Sequence, residues 1–428
     1  MKMKAFSDFS KFSGGNHPLF FKVKSTEEVL ELVRSFSPAG EVTVSIEEAL
    51  GLALSRDIAS PENLPGFFRS AMDGYAVRAK DTFGATESIP AFLELAGEVL
   101  MGQNPEVTIS QGKAIKISTG GMLPSGADSV IMLEYCHSLD ENTIEVSRAI
   151  SPLENVICPD EDYKKNTIIF KAGSIMRPQD IGLLAGLGVS GVSAFRRPKV
   201  AIISTGDEIV PINKNPEPGK IRDINSYTLS AFCRQMGGIP TIMGLCRDDF
   251  AQLRDLMKKS LDFADTVWVS GGSSVGTRDM TLNVLESFDD MEVLVHGISI
   301  SPGKPTIIAK IGDRAIFGLP GHVASAMVIA EVFLKEFLSK LLGYRPQHPK
   351  LNGFLKAVMS RNIESKSGRD DFIRVRIEKE GDKFTAVPVF GKSGLISTLV
   401  DAHGLIRIDR NSEGVYQGQV VDVMLFKH

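Results

Sequence analysis

With 428 residues, 43% of them hydrophobic and 23% charged, the chain has material for several packed domains rather than one. A formal net charge of -4 has the wrong sign for binding driven by phosphate contacts, so no nucleic-acid role is expected. Cys136, Cys158, Cys233 and Cys246 form no CxxC pair and the seven histidines form no HExxH group, which argues against a disulfide framework or a transition-metal centre and suits a reducing, cytoplasmic setting.

Residues 1–17 read as a loose lead-in, basic but without the continuous apolar core of a signal peptide. No stretch reaches the roughly 20 apolar residues that span a bilayer, so no membrane association is expected; residues 324–338 come nearest, but Glu331, Lys335 and Glu336 interrupt them. Ser25 or Thr26 can cap a helix whose first turn holds Glu27 and Glu28 and whose apolar face is Val29, Leu30, Leu32 and Val33. A second helical piece is expected over 45–54. Asp73-Gly74 then predicts a tight turn before a strand at 75–77. Short strands at 92–95, 114–117, 130–133 and 143–146 between Gly/Pro turns make a compact β module that reads as an insertion.

From Lys199 the texture becomes alternating strand and helix. Strands are predicted at 199–204, 240–245, 266–270, 293–298, 306–311 and 315–317, with helices at 226–236, 250–261, 280–287 and 323–342. That alternation predicts a doubly wound α/β domain, whose ligands bind at the carboxyl ends of its strands. Asp207 and Glu208 follow one strand, Asp248 and Asp249 another, and the third runs into Gly271-Gly272-Ser273-Ser274-Val275-Gly276 and then Asp279. A glycine loop there can aim backbone N–H groups at a phosphate. Carboxylates beside an anion-accepting loop point to a hard cation such as Mg2+ bridging to phosphate oxygens. In Ser301-Pro302-Gly303-Lys304-Pro305 the prolines fix the backbone on both sides of Gly303-Lys304, holding the lysine out as a positioned charge. Beyond a Pro-rich linker at 343–349, strands at 372–378, 384–390, 405–408 and 420–426 predict a small β-barrel or sandwich.

SAMDGYAV (70–77), STGDEIV (204–210), SGGSSVGTRD (270–279), PGKP (302–305) and GLPG (318–321) resemble, in order and spacing, the motifs of the MoeA family, the molybdopterin molybdenumtransferases that include the E domain of gephyrin. The resemblance covers nearly the full length. It implies an elongated N-terminal domain split in sequence (18–60 and 155–196), an inserted β module (61–154), a MogA/MoaB-like α/β domain (197–346) and a C-terminal β-barrel (347–428). It implies a cytoplasmic homodimer with an active site shared between subunits, supplied by a molybdopterin adenylyltransferase. The implied reaction is Mg2+-dependent: adenylylated molybdopterin and molybdate react, metal enters the dithiolene and AMP leaves. On this reading Asp73, Thr119, Glu208, Asp248, Asp279 and Lys304 are catalytic. Asp207, Glu208, Asp248 and Asp279 hold the metal. Gly271, Gly272, Ser273, Ser274, Gly276, Pro302, Gly303, Pro320, Arg374 and Ser393 bind pterin, nucleotide or oxyanion.

The chain departs from the family pattern at Arg69, at Ser301 in place of a lysine, at His322-Val323 in place of Asn-Pro, and at 155–159, which lack arginine. These departures leave open a divergent paralogue preferring tungstate. An adenylyltransferase-like activity or a non-enzymatic, dimeric scaffold would also suit the motifs. Gly272-Ser273-Ser274-Val275-Gly276 is also a literal GxSxG, the form of a serine hydrolase's nucleophile elbow. The elbow needs a helix directly after the serine, whereas residues 276–279 read as loop.

Overall fold

Six strands that are apolar along most of their length make the sheet on which the candidate site is built. A computed structural model describes residues 23–271, 275–345 and 354–426, the middle stretch with side chains from Met280 onward. In spatial order the strands are Ile239–Cys246, Lys199–Thr205, Thr266–Ser270, Arg314–Leu319, Ile307–Ile311 and Met291–His296. The first four are parallel, Ile307–Ile311 runs against them, and Met291–His296, antiparallel to Ile307–Ile311, runs with them again. Because side chains alternate across a strand, Val200 and Ile202 face one core with Leu229, Phe232 and Phe333, while Ala201 and Ile203 face another with Leu253, Met257 and Leu282. Helices on both faces confirm the doubly wound arrangement. The parallel strands therefore deliver their carboxyl ends to one edge, and the antiparallel pair brings residues 297–306 to that same edge.

The C-terminal strands close into a five-stranded barrel. Asp370–Glu380 pairs with Lys383–Pro388 and Gly404–Ile408, Phe354–Met359 pairs with Lys383–Pro388 and Val420–Leu425, and Gly404–Ile408 with Val420–Leu425 completes the ring. Val375, Ile406 and Val423 fill it. A short strand, Ile300–Ser301, pairs in parallel with Asp370–Asp371 and so ties the SPGKP loop to the barrel. The helix Thr26–Arg34 has the expected cap: the Ser25 side chain accepts from the Glu28 N–H, and Glu28 reaches back to Ser25.

The chain divides into two compact units, one formed by Val42–Ala194 and the other by the described residues through Glu41 and from Phe195 onward. The first unit holds a six-stranded sheet in the order Ser129–Met132, Gly74–Val77, Lys113–Ile117, Ala91–Val99, Thr143–Val146, Cys136–Ser138.

Three expectations need correction. The helical piece over 45–54 is absent: the strand Glu41–Ser45 gives way to turns, and Ala53 and Leu54 bridge to Ile175 and Ala194. Pairing with distant strands outweighs the local helical pattern there, and Gly51 at φ 75° ends any helix. The helix expected at 280 begins at Val275 and runs to Glu286. Residues 276–279 are thus helical rather than loop, and the objection to a nucleophile elbow that rested on that loop falls away. The long helix over 323–342 is continuous in course but widens into a π segment, Ala330–Leu334, between Val323–Ile329 and Lys335–Leu341.

Candidate active site

The strand Lys199–Thr205 ends in Gly206-Asp207-Glu208, where the chain folds sharply enough that a Cβ on Gly206 would lie 2.7 Å from Glu208 Oε2. The neighbouring strand ends in Arg247-Asp248-Asp249, and the Asp248 backbone N–H donates to Asp207 Oδ1 at 3.4 Å. Asp249 serves as a helix cap, accepting from the Gln252 N–H at 2.7 Å, and is thereby separated from the other acids in role. Partial burial, followed by the negative charges of Asp207 and Glu208, holds the Asp248 carboxyl above the usual carboxylate range. Among the described residues no ion pair joins Asp207, Glu208 or Asp248 to a lysine or arginine, although Lys220 Nζ donates to the Asp207 carbonyl at 2.6 Å. The described acids form no three-ligand cage. An ion such as Mg2+, which keeps most of its waters and takes one or two protein carboxylates plus phosphate, still fits this set.

Beside these acids lies a cavity of about 190 Å³, ringed by Thr205, Glu208, Asn225, Gly271, Gly321 and His322. Gly271 makes the close approach of two strand ends possible: a Cβ there would sit 2.0 Å from Thr205 Oγ1 and 2.4 Å from the Thr205 carbonyl oxygen. Gly271→Ala is therefore expected to destabilise the α/β domain by about 1–3 kcal/mol through overpacking, measured as a lower urea midpoint at unchanged slope.

Arg374 lies on the barrel strand that pairs with Ile300–Ser301, three residues beyond Asp371. It is buried at 9% exposure, donating to Thr398 Oγ1 at 2.8 Å and to the Gly391 carbonyl at 3.1 Å, while its Nε has no partner among the described residues. None of the described carboxylates pairs with it, and burial lowers its pKa. Asp370 on the same strand shows the contrast: this buried acid accepts from Arg407 at 2.9 Å and 3.1 Å. Ser393 Oγ bonds His322 Nδ1 at 2.8 Å, and its carbonyl accepts from the Ala324 N–H at 3.0 Å. This docks the barrel's 391–395 segment on the start of the Val323–Ile329 helix. Lys304 is exposed, Pro302 is half-buried, and Gly303 and Pro320 are buried. Gly303 packs where a Cβ would meet Ile329 at 2.7 Å.

In the other unit Asp73 and Thr119 meet each other. The Thr119 backbone N–H donates to Asp73 Oδ1 at 2.7 Å and its hydroxyl to the same atom at 3.1 Å. Asp73 ends a bend that leads into the strand Gly74–Val77, where a tight turn at Asp73-Gly74 was expected. Gly272, Ser273 and Ser274 lie outside the described residues, and Gly276 and Asp279 are placed by backbone alone, on the helix Val275–Glu286. Sequence reasoning passed over Thr205, Asn225 and Asp223. The Asp at the head of a helix in Arg222-Asp223-Ile224-Asn225-Ser226 was the available signal, and Asp223 Oδ1 accepts from the Ser226 N–H at 3.0 Å.

Three family models match in succession: "MoeA N-terminal region (domain I and II)" over residues 24–188, "Probable molybdopterin binding domain" over 201–340, and "MoeA C-terminal region (domain IV)" over 356–426. The chain is 33% identical to the molybdopterin molybdenumtransferase of Haemophilus influenzae, over 90% of its own length and 94% of that protein's. The chain belongs to the MoeA family. The Bacillus subtilis molybdopterin molybdenumtransferase is 30% identical over 94% of each chain. Two crystal structures of molybdopterin biosynthesis MoeA proteins from Pyrococcus horikoshii, 38% and 31% identical, each match 95% of this chain and 100% of their own, with TM-scores of 0.82 and 0.80.

Proposed function

We propose that this MoeA-family chain inserts molybdate into adenylylated molybdopterin and releases AMP, as a step of molybdenum cofactor biosynthesis. Beyond family membership, one observation carries the reading: Arg374 is buried with no carboxylate among the described residues to neutralise it. A buried guanidinium without a protein counter-ion is suited to a tetrahedral oxyanion, which supplies the missing charge and acceptor atoms. Lys304, on the loop tied to the same strand, adds a second positive charge, and Ser393 a hydroxyl.

Asp207, Glu208 and Asp248, with Asp279 from the family pattern, would hold Mg2+. When bound, that ion neutralises charge on phosphate oxygens. The chain's own residues position the substrate and neutralise developing charge, and cleavage of a phosphoanhydride needs no protein nucleophile. The proposal includes a homodimer in which a second copy supplies the Asp73–Thr119 pair, and an upstream molybdopterin adenylyltransferase that delivers the substrate. A sedimentation mass equal to one chain at micromolar concentration would remove the dimer.

The test is AMP release from adenylylated molybdopterin, measured with molybdate and with tungstate for wild type and Asp279→Ala. Wild type is expected to release AMP with at least one oxyanion, and Asp279→Ala to be slower by about a hundredfold. The two oxyanions separate molybdate insertion from the tungstate preference that His322 beside Ser393 leaves open. No AMP release with either would sink the catalytic reading.

A further inference from the structure

Two of the places where the chain departs from its family's pattern face each other in the structure. One is an added arginine, Arg69; the other is the segment 155–159, where arginine is missing. The short strand Arg69–Ser70 pairs antiparallel with Val156–Ile157, and Ile157 is the direct partner of Arg69. Residues opposite each other in such a pair project from the same face, with Cβ atoms about 5 Å apart. Ser70 and Val156 are buried, so Arg69 and Ile157 point to the other, more open side.

The strand's second edge is laced to the turn that carries Thr119. The Ser70 N–H donates to the Gly121 carbonyl at 2.9 Å, the Gly120 N–H donates to the Ser70 carbonyl at 2.8 Å, and Arg69 bridges to Met122. Arg69 thus belongs to the same backbone cluster as Asp73 and Thr119, on a support held from both sides.

The guanidinium has no protein counter-ion among the described residues. Arg69 is half-buried, its Nε is enclosed without an acceptor, and no described carboxylate pairs with it. Asp73, the acid nearest in sequence, has its Oδ1 taken up by the Thr119 N–H and hydroxyl instead. Phe67, Phe68 and Met72, close along the chain, stay exposed, so no described segment covers them. A half-buried cation without a partner costs stability, and its natural partner is an anion brought by a ligand. The planar guanidinium matches phosphate oxygens two at a time.

We propose that Arg69 is an anion-binding residue that takes a phosphate oxygen of the substrate, standing in for an arginine absent from the facing strand. The proposal rests on the reading above in which Asp73 and Thr119 work on adenylylated molybdopterin, whose phosphoanhydride supplies such oxygens. The other tetrahedral anion of that reaction is molybdate, so the test carries both.

Calorimetry on the full-length protein, without Mg2+ and at fixed ionic strength, uses inorganic pyrophosphate and molybdate as probes. Arg69→Asn is expected to lower pyrophosphate affinity about tenfold and to leave molybdate affinity unchanged. Its thermal midpoint without ligand should hold or rise, because an unpaired cation has left a half-buried position. A purely structural arginine predicts the reverse, a lower midpoint with unchanged affinities. Combining Arg69→Asn with Ile157→Arg returns the charge from the facing strand and should restore pyrophosphate affinity to within about threefold of wild type.

Unchanged pyrophosphate affinity in folded Arg69→Asn, or a loss confined to molybdate, overturns the phosphate site. A folded double variant that binds no better than Arg69→Asn overturns the exchange between the strands. AMP release reads the reaction separately. Wild type that releases AMP while Arg69→Asn binds pyrophosphate normally removes this inference alone. No AMP release from wild type, with the pyrophosphate loss intact, removes the reaction and keeps the site.

Discussion

Arg374→Met is expected to abolish the response to oxyanion while leaving the fold as stable as before or more so. Two costs attend the native side chain. Burial of an unpaired guanidinium disfavours its charged form, and its Nε has no acceptor among the described residues. Against these stand two hydrogen bonds, to Thr398 and to the Gly391 carbonyl, each worth about 1 kcal/mol. A methionine fills similar volume without a charge, so the thermal midpoint without ligand should not fall. Molybdate should stabilise wild type by about 2.7 kcal/mol at a hundredfold excess over its Kd, on the order of a 5 °C rise, and should do nothing for the variant. AMP release driven by molybdate should drop by about 10²–10³, the usual effect of removing one preorganised charge donor. A variant that loses stability but still responds to molybdate would show that Arg374 holds the barrel together and does not bind the oxyanion.

The fold was largely legible because its sheet is built from long apolar strands. Residues 199–204 and 266–270 are buried almost throughout, and such runs between capped amphipathic helices leave few other architectures open. The acids at the strand ends were legible for the same reason, since topology dictates which edge a carboxyl end reaches. Asp249 was grouped with those acids, whereas in the structure it caps the helix Phe250–Leu261 by accepting from the Gln252 N–H. The failures are of two kinds. Over 45–54 a locally helical pattern lost to pairing with residues far away in sequence, and at 275–279 a glycine and a threonine masked the true start of a helix. The close approach of Gly271 to Thr205 was invisible because nothing local marks it: it arises only where strand ends far apart in sequence come together. Arg374 was nameable only through family resemblance. A lone arginine in a strand carries no sign that it will be buried without a carboxylate.

Asp248→Asn should raise stability at neutral pH while lowering activity, and the gain should disappear in acid. Burial and the charges of Asp207 and Glu208 raise the Asp248 carboxyl above its ordinary value of about 3.9, so the folded state binds this proton more tightly than the unfolded state does. For a group raised on folding, the favourable contribution is complete below the unfolded-state value and is lost as pH rises through the folded-state value. At pH 7 wild type therefore carries the full cost of crowding three carboxylates, and asparagine relieves it. As pH falls through the carboxylate range, Asp248 gains its proton and the two proteins converge. Thermal midpoints measured from pH 7 to pH 4 should show a positive difference that shrinks steadily toward zero. Millimolar Mg2+ at pH 7 should close the gap from the other side, stabilising wild type more than the variant, because the cation neutralises the same crowding. Turnover should fall by about a hundredfold, since the proposed metal set loses a charged ligand. A variant less stable than wild type at pH 7 without Mg2+ would mean that Asp248 makes a favourable structural contact outweighing the repulsion, and would remove the reason for reading these acids as a site kept at a cost for a cation.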